Sequence, residues 1–294
     1  MSVGLVLEGG GQRGAYTAGV LQGLYSEGIR VDYVAGVSAG ALTGINYVSG
    51  QLRRNYTTFV SYSSDPRYMG IKNMKQGGFF NFDFLLGDLV RELLPFDFDA
   101  FFGSSCRMRI GTTDCMTGEA VYYDKEALMD DANLTVLRAT ASLPLVAKPQ
   151  EFGGRILMDG GLADPIPLER SIADGNEFNI VVFTRNSYYV DRPEGTLELC
   201  RRKYPEYKGL ISVMERRAQV CHRQRALAYE QQRLGKAVVI HPVAPIRLSK
   251  FERRAEKLAE LHDRALFELA PRMTEIRELM ERDRLKNGEK IYAG

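Results

Sequence analysis

The chain opens with a short unbroken apolar run, Val3 to Leu7, followed by Glu8, Gly9, Gly10, Gly11, Gln12, Arg13 and Gly14. From Ala15 to Ser26 the positions Ala15, Ala18, Val20, Leu21 and Leu24 gather on or near one face at helical spacing, and Gly28 stops the run. Val31 to Ala35 is a second apolar strand, and a helix rich in small residues continues from Ala41 to Gly50. The opening therefore reads β-α-β-α, the order that builds a parallel sheet covered by helices.

Further along, Arg107 to Thr113 and Glu119 to Tyr123 read as a hairpin about a Met-Thr-Gly turn. Asn133 to Ala141 has helical spacing, ended by Ser142-Leu143-Pro144. Arg155 to Met158, Asn179 to Thr184 and Val238 to His241 are short strands. Phe79, Phe80, Phe82, Phe84, Phe96, Phe98, Phe101 and Phe102 crowd a segment broken by Gly and Pro. They read as packing against the sheet, or as an apolar lid or acyl-chain wall, since ligand pockets are mostly apolar. Gly209 to Leu234 and Ser249 to Lys286 are charge-rich helical patterns. Val213, Val220, Leu227 and Leu234 recur every seven residues, and Leu258, Leu261, Ala265, Leu269, Ile276 and Leu279 form a second stripe, started afresh or kinked at Pro271. Both stripes read as docking on the core; a basic amphipathic face on anionic lipid is the alternative.

Composition changes this picture little. The 294 residues allow one large domain or two modest ones, and 45% are hydrophobic, enough for a sizeable core. A formal net charge of +2 does not suggest a nucleic-acid binder. Cys106, Cys115, Cys200 and Cys221 are scattered without zinc-type spacing, so no metal is expected and a reduced, cytoplasmic setting is the simple reading. No Sec signal pattern and no apolar run near the roughly 18 residues of a membrane span is seen, which points to a soluble protein with peripheral membrane contact left open.

The candidate chemistry begins at Gly36-Val37-Ser38-Ala39-Gly40, a G-x-S-x-G sequence between a strand and a helix. Such a turn exposes a strained serine at a helix N-terminus, and side chains at Gly36 and Gly40 would collide in the tight crossing. The glycine loop Gly9-Gly10-Gly11-Gln12-Arg13-Gly14 places bare amides at another helix N-terminus, where anions bind; beside Ser38 it would form an oxyanion hole. The same residues match G-x-G-x-x-G, but the acidic residue at the right distance, Asp32, starts its strand rather than ending it, so a dinucleotide site is the weaker reading. Asp159 follows a short strand and precedes Gly160 and Gly161, so it should sit on a turn at the same sheet edge. A carboxylate there becomes a useful base only when partly removed from water; alternatively it only caps a turn. His222, His241 and His262 follow Asp159, so a Ser-Asp-His order is formally available, though all three read better as surface or packing residues.

Gly9–Gly14, Gly36–Gly40 and Asp159–Gly161, in this order, resemble the three motifs of patatin-like phospholipases, and Ala139–Pro144 resembles the family's stretch between serine and aspartate. The likeness covers roughly residues 3 to 190. It implies a metal-independent and cofactor-free lipid acyl hydrolase with a Ser–Asp dyad. Ser38 matches the nucleophile and Asp159 the base. Gly9, Gly10 and Gly11 match the oxyanion loop, which Arg13 and Gly14 complete; Glu8 stands where many members carry Asp. The fold expected is α/β, a three-layer sandwich with a mostly parallel central sheet, with a catalytic domain over 1–195 and a helical region over 196–294 packed on it. The partners expected are a phospholipid or other acyl-ester substrate and no nucleic acid; the oligomeric state is left open. A non-catalytic lipid-binding or interaction protein on this fold and a nucleotide binder are the rivals.

Overall fold

In the computed structural model, residues 3–76, 78–190, 195–286 and 288 are described. Eight strands form one sheet: β1 (Gly4–Leu7), β2 (Tyr33–Val37), β3 (Arg107–Asp114), β4 (Ala120–Asp124), β5 (Gln150–Phe152), β6 (Arg155–Asp159), β7 (Asn179–Val182) and β8 (Ala237–Ile240). Their order is β5-β6-β3-β2-β1-β7-β8, with β4 also on β3. Strands β3, β2, β1, β7 and β8 are mutually parallel, while β4, β5 and β6 run antiparallel at one end.

Helices α1 (Gly14–Ser26), α2 (Ala39–Val48), α3 (Leu52–Tyr56) and α4 (Phe98–Gly103) come before β3, and α5 (Thr135–Thr140) lies between β4 and β5. The rest are α6 (Leu168–Ala173), α7 (Leu197–Lys203), α8 (Lys208–Arg233), α9 (Ala255–Leu269) and α10 (Met273–Lys286). Successive side chains of a strand face opposite sides, and both sides are covered here. Leu5, Leu7, Ile180, Val182, Val238 and Ile240 join a core with α1, α9 and α10. Val6, Val181, Val239 and Phe183 join another with Leu168 of α6 and Ala228 of α8. Burial on both faces explains why these strands are unbroken apolar runs rather than alternating ones. The result is the expected three-layer α/β sandwich with a mostly parallel sheet and a helical C-terminal region, to which that region also adds the edge strand β8.

Helix α9 lies close along α1. A methyl group at Gly19 would stand 2.3 Å from the His262 carbonyl oxygen, and one at Gly23 would stand 2.5 Å from Leu269. The two glycines are four apart and so share a face, which lets the backbones approach. The stripe Leu258, Leu261, Ala265, Leu269, Ile276 and Leu279 is buried throughout, and a 3-10 turn at Ala270–Arg272 with Pro271 separates α9 from α10.

The seven-residue repeat is buried only in part: Val220 and Leu227 are half-buried, Leu227 against the second core, and Leu234 lies just past the end of α8. Val213 is buried, whereas Leu234 is 51% exposed. The buried face instead follows Leu210, Val213, Met214, Cys221, Gln224, Arg225 and Ala228. A straight helix drifts about 20° per heptad against a seven-residue repeat, so the stripe rotates away from the core. Phe82, Phe84, Phe96 and Phe101 are core residues, and Phe79 and Phe80 pack around Phe251. None of the phenylalanines between 79 and 102 lines the cleft described next.

Candidate active site

Ser38 ends β2 and caps α2 with φ 53° and ψ −129°, a left-handed conformation that is uncommon outside glycine. The surroundings hold it there. Its backbone N–H donates to Thr140 Oγ1 at 2.9 Å, and the Thr140 hydroxyl in turn donates to the Gly111 carbonyl. A methyl at Gly40 would fall 2.4 Å from the Leu7 carbonyl oxygen, so only glycine lets α2 start this close to β1. Gly36 is pressed in the same way against the Ala41 amide, Gly160 against the Gly111 carbonyl, and Gly14 against Phe59 and Ala39. These four glycines set distances between elements; none of them lines the cleft.

Asp159 ends β6, and its approach differs from the simple expectation. The ends of parallel strands gather at one sheet edge, but β6 is antiparallel to β3. Consecutive rungs of β3 settle the meeting: Gly111 pairs with Val37 of β2, and Thr112 pairs with Asp159 of β6. The two chain ends that carry Ser38 and Asp159 therefore converge from different directions. Asp159 Oδ1 accepts the Gly161 N–H at 2.8 Å, and Thr113 Oγ1 donates to the Asp159 carbonyl at 2.8 Å.

A cleft of about 360 Å³ holds Ser38 and Asp159 together with Gly9, Gly10, Gly11, Arg13 and Gly161. Leu143, Pro165, Thr184, Arg185, Tyr189, Arg217, Lys250 and Glu8 complete its wall. A larger hollow of about 420 Å³, between Gly28–Arg30 and α10, has no serine, threonine or cysteine among its described lining residues. Among the described residues the N–H groups of Gly9, Gly10 and Gly11 carry no hydrogen bond, while Gln12 donates to the Lys250 carbonyl at 3.1 Å and Arg13 to that of Gly10 at 3.3 Å. Gly11 takes φ +56°, and a methyl there would lie 2.6 Å from the Lys250 carbonyl oxygen.

Asp159 is buried, and its carboxyl is pushed up to about 6. Burial is the main cause; the Ser38 side chain, the Gly161 amide, Arg217 and Lys250 all act the other way. Among the described residues its Oδ2 makes no hydrogen bond, and the neighbouring Ser38 side chain favours the carboxylate form. Such contacts are often loose before substrate arrives. Asp164 is likewise pushed up to about 6 by burial, against hydrogen bonds from Tyr122 and Gln224. It does not line the cleft.

Several site residues escape a reading of the sequence. Glu8, which stands just before the glycine loop, anchors it. Its Oε1 accepts from Arg225 Nη2 of α8 at 2.6 Å, and its Oε2 accepts from both the backbone N–H and the hydroxyl of Thr184. The Thr184 hydroxyl also lies 3.0 Å from the Gly9 carbonyl. Arg217 Nε donates to the Gly161 carbonyl at 2.8 Å. Only Thr140 had a signal, since it falls in the Ala139–Pro144 segment. The histidines stand apart from the cleft. His222 is exposed, His241 Nδ1 lies 3.1 Å from the Pro242 carbonyl, and buried His262 packs edge-on against Tyr56. Asp32, the residue a dinucleotide would need, is exposed at the start of β2 and outside the cleft. Among the described residues no cluster of three His, Cys, Asp or Glu is arranged to hold a metal, and no helix is long and apolar enough to cross a membrane.

An uncharacterized NTE family protein of Mycobacterium tuberculosis is 29% identical over 175 residues, 56% of this chain and 44% of that protein. A lysophospholipase of Saccharomyces cerevisiae, NTE1, is 27% identical over 184 residues, 59% of this chain but 10% of its own length. The chain thus spans less than half of these relatives. The crystal structure of VipD from Legionella pneumophila superposes with a TM-score of 0.47 at 13% identity, over 91% of this chain and 66% of that one. Residues 207–281 match a domain of unknown function, DUF6363. Residues 5–172, more than half of the sequence and all three glycine-bearing motifs, match the model of the patatin-like phospholipases, and to that family this chain belongs.

Proposed function

We propose that the protein is a serine acyl hydrolase acting on lipid esters through a Ser38–Asp159 dyad. The observation that carries this reading is the shared cleft, in which a strained serine, a buried carboxyl lifted to about 6 and the loop glycines Gly9, Gly10 and Gly11 line one small volume. Asp159 takes the hydroxyl proton as Ser38 Oγ bonds to the ester carbonyl carbon. The negative oxygen that develops is received by the Gly9–Gly11 amides. The ester C–O bond then breaks, the departing alkoxide takes the proton back from Asp159, and an acyl-enzyme remains. Water attacks it, gives a proton to Asp159, and releases the fatty acid as the serine recovers its hydrogen. A carboxyl near 6 is poised for both halves of this exchange at neutral pH. The relatives named as NTE family proteins and as a lysophospholipase support a lipid ester as the substrate.

The test is labelling by a fluorophosphonate probe alongside hydrolysis of lysophospholipid esters. Ser38→Ala and Asp159→Asn should each lower turnover by about a thousandfold or more while the fold survives. A His222→Ala, His241→Ala, His262→Ala triple variant should stay active. An unlabelled Ser38 in the folded protein would instead mark a lipid-binding protein without catalysis.

A further inference from the structure

The cleft is crowded with positive charge that the dyad does not use. Arg13 comes from the glycine loop, Arg185 follows β7, Arg217 sits on α8 and Lys250 lies between β8 and α9. Arg13, Arg185 and Lys250 form no ion pair among the described residues, and Arg13 Nε is buried without a hydrogen bond. Burial and the neighbouring Arg185 push the Arg13 guanidinium down to about 10, with Arg217 adding to the repulsion. The two carboxylates on the wall are already engaged. Glu8 is held by Arg225 and Thr184, and Asp159 serves Ser38. Like charges gathered on a partly buried wall oppose folding, and an incoming anion relieves them.

We infer that the ester substrate carries a net negative head group, a phosphate without an ammonium partner, held by Arg185 and Lys250 with Arg13 and Arg217 beside them. A choline or ethanolamine ammonium would enter a wall of four cations whose two carboxylates are Glu8, paired with Arg225, and Asp159, the base for Ser38. Lys250 and Arg217 both lie within residues 207–281, so this segment of unassigned role supplies half of the cationic wall and sets head-group choice. The inference rests on the acyl-hydrolase reading for its chemistry, but the charge recognition can be measured without turnover.

The experiment compares 1-oleoyl lysophosphatidate with 1-oleoyl lysophosphatidylcholine, presented in the same neutral detergent micelles. Wild type should show kcat/KM at least about tenfold higher for lysophosphatidate, carried by KM. In the Arg185→Gln, Lys250→Gln double variant the ratio should fall to within about twofold, while Lys250→Arg keeps most of it. Among the described residues the Lys250 side chain makes no hydrogen bond, and the contact to Gln12 is made by the Lys250 backbone carbonyl, which replacement of the side chain leaves in place. Equal kcat/KM for the two lipids in wild type, or an unchanged ratio in a folded double variant, would overturn the inference. A binding arm separates it from the catalytic reading. Ser38→Ala should bind lysophosphatidate about tenfold more tightly than lysophosphatidylcholine by calorimetry, even if neither lipid is cleaved by wild type. Inorganic phosphate bound as tightly as lysophosphatidate would show that the site takes free phosphate, and the lipid head group would be wrong.

Discussion

Asp159 pits stability against use. Its carboxyl is ordinarily near 3.8 and is lifted to about 6 by burial, so the folded protein holds a proton there more tightly than the unfolded chain does. Below about pH 4 both states are protonated and the buried acid is at its most favourable. As pH rises from about 4 to 6 the unfolded chain ionises first, and this contribution is lost. A rise of about two units corresponds to between 2 and 3 kcal/mol. Asp159→Asn should therefore unfold with about 2 kcal/mol more stability than wild type at pH 8, and the gain should vanish near pH 4. Denaturant titrations at the two pH values measure it. The same titration governs catalysis with the opposite consequence, because only the carboxylate can accept the Ser38 proton. The kcat/KM of wild type should rise through about pH 6; a plateau extending well below pH 5 would mean another group is the base.

At the level of elements, α8 is tied to the glycine loop by one buried ion pair, Arg225 with Glu8, both nearly inaccessible. Truncating one partner of such a pair leaves the other charge stranded, typically at about 3–5 kcal/mol. Arg225→Met should destabilise the protein by about 3 kcal/mol and lower kcat more than it raises KM, because Glu8 and Thr184 would no longer fix the Gly9 carbonyl. Equilibrium unfolding and steady-state kinetics on the same preparation check both halves. No pattern in the chain announces this pair, since 217 residues separate its members. What was legible was local: glycines whose backbone must pass close to a neighbour, apolar runs of strand length, and a serine at a strand-to-helix turn. Thr184, Arg185 and Arg217 carry no such local signature, and β5 is too short and polar to stand out. The Ser38 and Asp159 motifs could be read one at a time, but not the opposed directions in which β2 and β6 deliver them.

Across the whole molecule, residues after 206 are structural members of the sheet's surroundings. Strand β8 covers β7, α8 closes one face, and α9 lies along α1. A chain ended at Glu206 would expose Val6, Val181 and Phe183 on one face and the Gly19–Gly23 seam of α1 on the other. It should show no cooperative thermal transition and no fluorophosphonate labelling, even though it retains every motif residue. A folded, labelled fragment would show that the matched 5–172 region stands alone.

The hydrogen bond from the Ser38 amide to Thr140 gives the cleft a handedness. With that amide committed, the amides of Gly9–Gly11 are the donors this reading gives a developing negative oxygen. A chiral phosphonate can turn its P=O to that side, with its leaving group in line, in just one of its two mirror forms. One enantiomer should label Ser38 much faster than the other, and a racemate should react in two clearly separated phases.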